Sequence, residues 1–274
     1  MPVRTSEIHE VPLGTKCPEF ELTTVDTGKK ITRESLVKET EDFKGLCVMF
    51  LCNHCPIVGH IRASLALVAE MYQEQGIAFV AIMPNELSIS AMNNPTEMCA
   101  EIKKFNYTFP YCFDGDKQKV SRDIGVAVTP DFFVYNKDLE LVYRGAFDAT
   151  RPSEQGFFTP GEVLWTVKDF KVGAPPDGLY LRSALDALVS EEKDKISKIQ
   201  QFPAEGCSVK WIPGEQEPSW SVSEYNYPEA VKYHHAWNRK YYLWKFFYNI
   251  VYSFLGIFGY ERPPIGNELN KGGI

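Results

Sequence analysis

Cys52 and Cys55 stand three positions apart in the run Phe50-Leu51-Cys52-Asn53-His54-Cys55-Pro56, with a histidine between them. Two thiols at that spacing can close a small disulfide ring, share a metal ion, or pack as core cysteines. A helix start adds chemistry, because unpaired backbone N–H groups and the positive end of the helix dipole stabilise the thiolate, the reactive form of cysteine. The spacing predicts Cys52 near the N-cap as an outer, attacking thiol and Cys55 one turn on as the inner, resolving thiol. His54 is expected to act as a cation in the same turn, lowering the pKa of Cys52 and making the disulfide easier to reduce. Pro56 lacks an N–H, which costs little so close to a helix start. His60 extends the set of potential metal ligands, but structural zinc sites usually combine two ligand pairs from separate segments. The chain has no second CxxC and no HxxxH, so metal is the weakest of these readings and none is expected.

A second constellation lies at Val128-Thr129-Pro130-Asp131-Phe132-Phe133. An X-Pro immediately before an apolar strand is a place where a cis peptide can be used. Set beside the cysteine pair, Thr129-Pro130 would leave a neighbouring stretch of backbone free to pair with an incoming peptide strand.

Both motifs need elements to hold them. Leu46 to Leu51 is a short, wholly apolar run and reads as a buried strand. Ile57, Ile61, Leu65, Val68 and Tyr72 then recur at helical spacing, so the cysteines open a helix of about five turns. Ile77 to Met83 is the next buried strand, Pro95 to Phe105 a helix with proline in its first turn, and Lys117 to Ile124 a short helix. Phe20 to Ile31 reads as a hairpin turning at Thr27-Gly28, and Asp131–Tyr135 with Glu140–Arg144 as a second hairpin. Leu181 to Ile199 is expected to be one amphipathic helix, with 173–178 a loop before it and 212–218 a linker after it. Strands alternating with helices, closed by a hairpin, imply an α/β fold with a mixed central sheet.

The chain has 274 residues, is 44% hydrophobic and carries a net charge of −7, which suits a sizeable core and argues against broad nucleic-acid binding. Seven cysteines, five of them scattered away from the pair, do not resemble a secreted disulfide framework. The opening MPVRTSEIHEVPLG has no long apolar core and two glutamates, so neither a signal nor a transit peptide is expected. A reducing, cytoplasmic setting is the default, with an organelle or a peripheral membrane as alternatives.

Taken together, CNHCP after a buried strand, VTPDFFVYN some way on and YRGAFD after it resemble the thioredoxin-like redoxin family. The likeness is to the alkyl hydroperoxide reductase/thiol-specific antioxidant branch, in particular its bacterial-type members. Gly14-Thr15-Lys16-Cys17-Pro18-Glu19-Phe20-Glu21-Leu22, Phe109-Pro110-Tyr111 and Gly206-Cys207-Ser208-Val209-Lys210-Trp211 are similar to further family signatures. The resemblance spans about residues 10–212 and leaves 213–274 as an extension. It implies a thioredoxin-like fold, Cys52 and Cys55 as the redox pair, Pro130 preceded by Thr129 as the cis-proline, and no cofactor beyond the Cys52–Cys55 disulfide. The implied substrate is a disulfide or thiol, on a protein or a small molecule. Departures bear on the activity. Leu51 stands where thioredoxins have tryptophan, no carboxylate precedes the motif in its strand, and Val128 replaces a common cysteine. A peroxidatic site would want a threonine or serine where Cys52 stands and an arginine where Thr129-Pro130 stands. Dithiol–disulfide exchange is therefore favoured over peroxide reduction.

Tyr225 to Tyr260 is dense in aromatic residues, and a helix over about 229–258 is expected, with Tyr233, Trp237, Tyr241, Trp244, Tyr248, Val251 and Leu255 in one stripe. Such a helix can pack on its own domain, dock on a partner protein, or lie on a membrane surface. It also motivates a rival function, an accessory or structural subunit of a larger assembly that reuses the fold. Elsewhere, Cys207 reads as a distal resolving or regulatory thiol or as packing beside Trp211, and Cys47 as inert core. Arg144 and Asp148 read as flanking the active face or as a solvated hairpin edge, and His234-His235 as helix surface.

Overall fold

A strand buried on both faces has no use for alternation between apolar and polar residues, and Gly45–Phe50 has none. It forms β4, the middle of the main sheet, and every one of its residues is buried. The computed structural model describes residues 3–5, 11–152, 171–215 and 218, with positions 246 and 250. In chain order the elements are β1 (Val3–Thr5), β2 (Glu21–Thr23), β3 (Lys30–Thr32), α1 (Arg33–Glu39), β4 (Gly45–Phe50), α2 (Pro56–Gln73), β5 (Ile77–Met83), α3 (Pro95–Phe105) and β6 (Tyr111–Phe113). They continue as α4 (Lys119–Ile124), β7 (Val128–Thr129), β8 (Asp131–Asn136), β9 (Leu141–Gly145), β10 (Thr150–Arg151), β11 (Lys171–Val172), α5 (Leu179–Val189), α6 (Lys193–Ile196) and β12 (Glu205–Ser208). The expected aromatic helix over about 229–258 lies outside the described residues, positions 246 and 250 apart.

The main sheet runs β6-β5-β4-β8-β9. β4 pairs parallel with β5 through the α2 crossover and antiparallel with β8, from Gly45 opposite Asn136 to Phe50 opposite Asp131. Successive side chains of β4 point to opposite faces. Cys47 and Met49 therefore join α2, α3 and α5 in one core, while Leu46, Val48 and Phe50 meet the β2–β3 hairpin, α1 and α4 in the other. The stripe Ile57, Ile61, Leu65, Val68 and Tyr72 is the buried face of α2. Cys47 is wholly enclosed in its core, as expected of an inert residue.

Two sequence expectations need correction here. The single helix over Leu181–Ile199 is two, because Ser190 closes α5 and Glu191 takes a left-handed conformation (φ 54°) before α6 begins. The second concerns the stretch before the proline, which was expected to stay open for an incoming strand. Instead the chain's own β12 pairs with β7, Cys207 opposite Thr129 and Ser208 opposite Val128, and β1 pairs with the far side of β12.

Gly206 permits that pairing. A Cβ there would lie 2.1 Å from the Thr129 carbonyl oxygen, well inside contact distance, with backbone that cannot rotate away. Gly206→Ala should therefore push β12 off β7 and lower stability by about 2 kcal/mol, the usual scale of overpacking. Urea unfolding read by circular dichroism checks this; an unchanged midpoint would mean that the strands are not held this closely.

Candidate active site

β4 ends where the chemistry begins. Leu51 still donates its N–H to the Ile82 carbonyl (3.0 Å), and the chain then turns through Cys52, Asn53 and His54 into α2. Proline suits the first helical position, where its missing N–H has no partner to lose, and it forces the residue before it to stay extended. Cys55 accordingly is the N-cap of α2, with φ −71° and ψ 124°, and its carbonyl accepts from Gly59 N–H at 2.8 Å. This corrects the expectation that Cys52 occupies the helix start. The signal was the Cys55-Pro56 step itself.

Thr129 faces both thiols. The Cys52 Sγ lies 2.9 Å from Thr129 Oγ1, and the Cys55 thiol donates to the Thr129 carbonyl at 3.2 Å. The Thr129-Pro130 peptide is cis. Both cysteines are free and buried, at 0% and 1% exposure, so Cys52 is not the outward-facing thiol of the pair. Burial pushes the Cys52 thiol well up, and the neighbouring Cys55 adds to the shift. Burial acts on Cys55 in the same sense. There, however, hydrogen bonds from the Cys207 and Cys52 thiols and from the Val58 and Cys207 backbone outweigh it and hold Cys55 well below the ordinary thiol range. Hydrogen bonding thus sets Cys55, the residue at the helix N-terminus, below Cys52 in pKa, the reverse of the order expected from sequence.

His54 does not supply the cation. Its Nδ1 lies 2.9 Å from Asn93 Oδ1, and its Nε2 is buried with no hydrogen-bond partner. Burial, reinforced by the positive charge of Lys210, pushes its pKa down to about 4, so the ring is neutral at physiological pH. Lys210, itself buried, instead supplies positive charge that favours the anionic forms of Cys52 and Cys207.

The turn is braced by α3 and the segment before it. Asn94 caps α3 by accepting from Glu97 N–H, with Pro95 in the first turn, and this sets Asn93 against the cysteine loop. Asn93 Oδ1 accepts from Asn53 N–H (3.0 Å), and Asn53 Nδ2 donates to Glu101 Oε2 (2.7 Å). Arg62 of α2 donates to the Asn53 carbonyl and pairs with Glu101 at 3.2 Å, their side chains 5% and 3% exposed; Tyr107 OH also donates to Glu101 at 2.9 Å. Sequence reasoning missed Arg62, Asn93, Glu101 and Lys210. An arginine next to Ile61 on the apolar stripe was the readable clue to one of them.

The two residues read as flanking the site or a solvated edge are neither exposed nor free. Arg144 pairs with Asp131 at 3.3 Å, donates to the Gly125 carbonyl at 3.0 Å and lies over the Phe133 ring. Burial raises Asp131 to about 6 despite that guanidinium. Asp148 accepts from the backbone N–H groups of Thr150, Asp177 and Gly178, each at 2.8 Å. His60 bonds Thr150 Oγ1 at 3.0 Å rather than turning to the thiols. Among the described residues, no three His, Cys, Asp or Glu side chains are grouped to hold a metal ion, and no helix is long and apolar enough to cross a membrane.

Residues 13–144 match the AhpC/TSA family. The chain belongs to that family. The mixed sheet, its flanking helices and the cis-proline are its thioredoxin-like redoxin fold. Two solved structures extend the likeness beyond the matched region. An uncharacterized conserved protein from Geobacillus kaustophilus is 33% identical over 78% of this chain and 99% of its own, with a TM-score of 0.64. A hypothetical protein from Sinorhizobium meliloti is 32% identical over 77% and 99%, with a TM-score of 0.62. No curated protein matches the chain.

Two predictions follow from this geometry. The folded pKa of His54, about 4, lies below its ordinary 6.5, so the unfolded chain binds the extra proton first as pH falls. The stabilisation is present above pH 6.5 and is lost as pH falls towards 4. Between pH 7.5 and 5 the wild type should lose up to about 2 kcal/mol more than His54→Gln, as urea titrations at both pH values would show; equal losses would mean a charged or exposed imidazole. Glu101→Ala, which strands the buried Arg62 guanidinium, should cost roughly 3–5 kcal/mol by the same assay, and a loss under about 1 kcal/mol would rule out the brace.

Proposed function

We propose that this protein is a thiol–disulfide oxidoreductase whose Cys52–Cys55 dithiol reduces a disulfide on a protein or small-molecule client. The observation that carries the reading is the contact of both free thiols with Thr129, one through its hydroxyl and one through its carbonyl, directly before a cis-proline. In the reaction, the Cys55 thiolate attacks one client sulfur, a Cys55–client disulfide forms, and the other client sulfur leaves as a thiolate. Cys52 then gives up its proton and attacks the Cys55 sulfur. The Cys52–Cys55 disulfide closes, the second client sulfur leaves, and the client has gained two electrons. An external thiol reductant reverses the closure.

Both cysteines are buried, so a client sulfur reaches them only when the chain covering them shifts. Disulfide exchange is favoured over peroxide reduction because Cys52 stands where a peroxidatic site would carry a hydroxyl. The nearby Arg144 is also committed to Asp131 and the Gly125 carbonyl.

Reduced protein should be alkylated by iodoacetamide first at Cys55, at a rate nearly flat from pH 7 to 9, whereas an ordinary thiol with a pKa near 8.5 speeds up across that range. Peptide mapping after short exposures reads this, and faster labelling of Cys52 would return the attacking role to it. Reduction of insulin disulfides should fall to the uncatalysed background in both Cys52→Ser and Cys55→Ser. Undiminished turnover in either variant would sink the dithiol mechanism.

A further inference from the structure

The two-cysteine mechanism leaves a third thiol unused. Cys207 is 2% exposed and belongs to the same apolar cluster as Cys52 and Cys55. It lies on β12, in register with Thr129, the residue that contacts both thiols of the pair. Gly206 lets β12 approach Thr129 too closely for any side chain at that position, and the next residue along is Cys207. Its thiol and its backbone also help to hold the Cys55 thiol down. β12 thus occupies the strand-pairing place beside the proline that an incoming peptide was expected to take, and it offers Cys55 a cysteine.

We propose that Cys207 is a third redox thiol of the site, an internal substrate that forms a disulfide with Cys55. The inference rests on the Cys52–Cys55 reading and extends it. Once that disulfide has formed, Cys207 gives up its proton and attacks the Cys55 sulfur. The Cys52–Cys55 bond breaks as Cys55–Cys207 forms, and Cys52 leaves as a thiolate that takes up the proton. No electrons are gained or lost overall. The oxidised bond moves onto the β12 side, and Cys52 is returned as a free thiol.

The full-length protein can be treated with one molar equivalent of diamide, blocked with N-ethylmaleimide and mapped by mass spectrometry for linked peptides. Wild type should yield both Cys52–Cys55 and Cys55–Cys207 links. Cys52→Ser should lose two free thiols to a Cys55–Cys207 link as its main intramolecular product, and Cys207→Ala should form Cys52–Cys55 alone. If wild type forms only Cys52–Cys55 and Cys52→Ser shows no Cys55–Cys207 link, the third thiol is refuted and the dithiol mechanism stands. If Cys55–Cys207 forms while Cys52–Cys55 appears in no sample, the third thiol stands and the dithiol mechanism fails. If neither link forms in wild type, both are overturned. The wild-type map needs no substitution, so a variant that folds poorly does not remove the test.

Discussion

Thr129 is the residue on which the arrangement of the site depends. Its hydroxyl meets Cys52, its carbonyl accepts from Cys55, and its strand partner is Cys207. It is itself wholly buried, and it precedes a cis peptide that leads into β8. β8 is in turn locked to β4 over six residue pairs, and β4 delivers the cysteine turn. The two halves of the site, far apart in sequence, are thus brought together by adjacent strands of one sheet. A single threonine thus contacts both sulfurs.

Charge is handled by burial and pairing rather than by a histidinium. Inside the protein, a charge is tolerated when it is paired and hydrogen-bonded. Arg62 with Glu101 and Arg144 with Asp131 meet that condition on either side of the site. Among the described residues no carboxylate is paired with His54, and the positive charge of Lys210 makes protonation worse. Its neutral ring therefore acts as a packed hydrogen-bonding group. The groups that lower a thiol pKa gather instead on Cys55, from the Cys207 and Cys52 thiols and the backbone of Val58 and Cys207.

Much of the fold was legible. The apolar runs of β4 and β5, the stripe on α2 and the Pro95 start of α3 rest on local periodicity and helix-start signals, which short segments carry in themselves. The break between α5 and α6 was not, because Glu191 in a left-handed conformation leaves no glycine or proline in the sequence to mark it. β7, β10, β11 and β12 have four residues or fewer and carry no pattern of their own. Their existence depends on partners supplied by the rest of the chain.

From the sequence, the family resemblance implied a thioredoxin-like fold in which Cys52, Cys55 and the Thr129-Pro130 step share one site. Those features are local, and their chemistry travels with them. Only the tertiary structure decided how the protons are shared among Cys52, Cys55, His54 and Cys207. A pKa reflects desolvation and every neighbouring dipole and charge, and here those neighbours come from β12, α3 and the segment before it, distant in sequence. Cys207 is the clearest case: in the sequence it is a cysteine near a tryptophan, and in the fold it lies opposite Thr129, which contacts both Cys52 and Cys55.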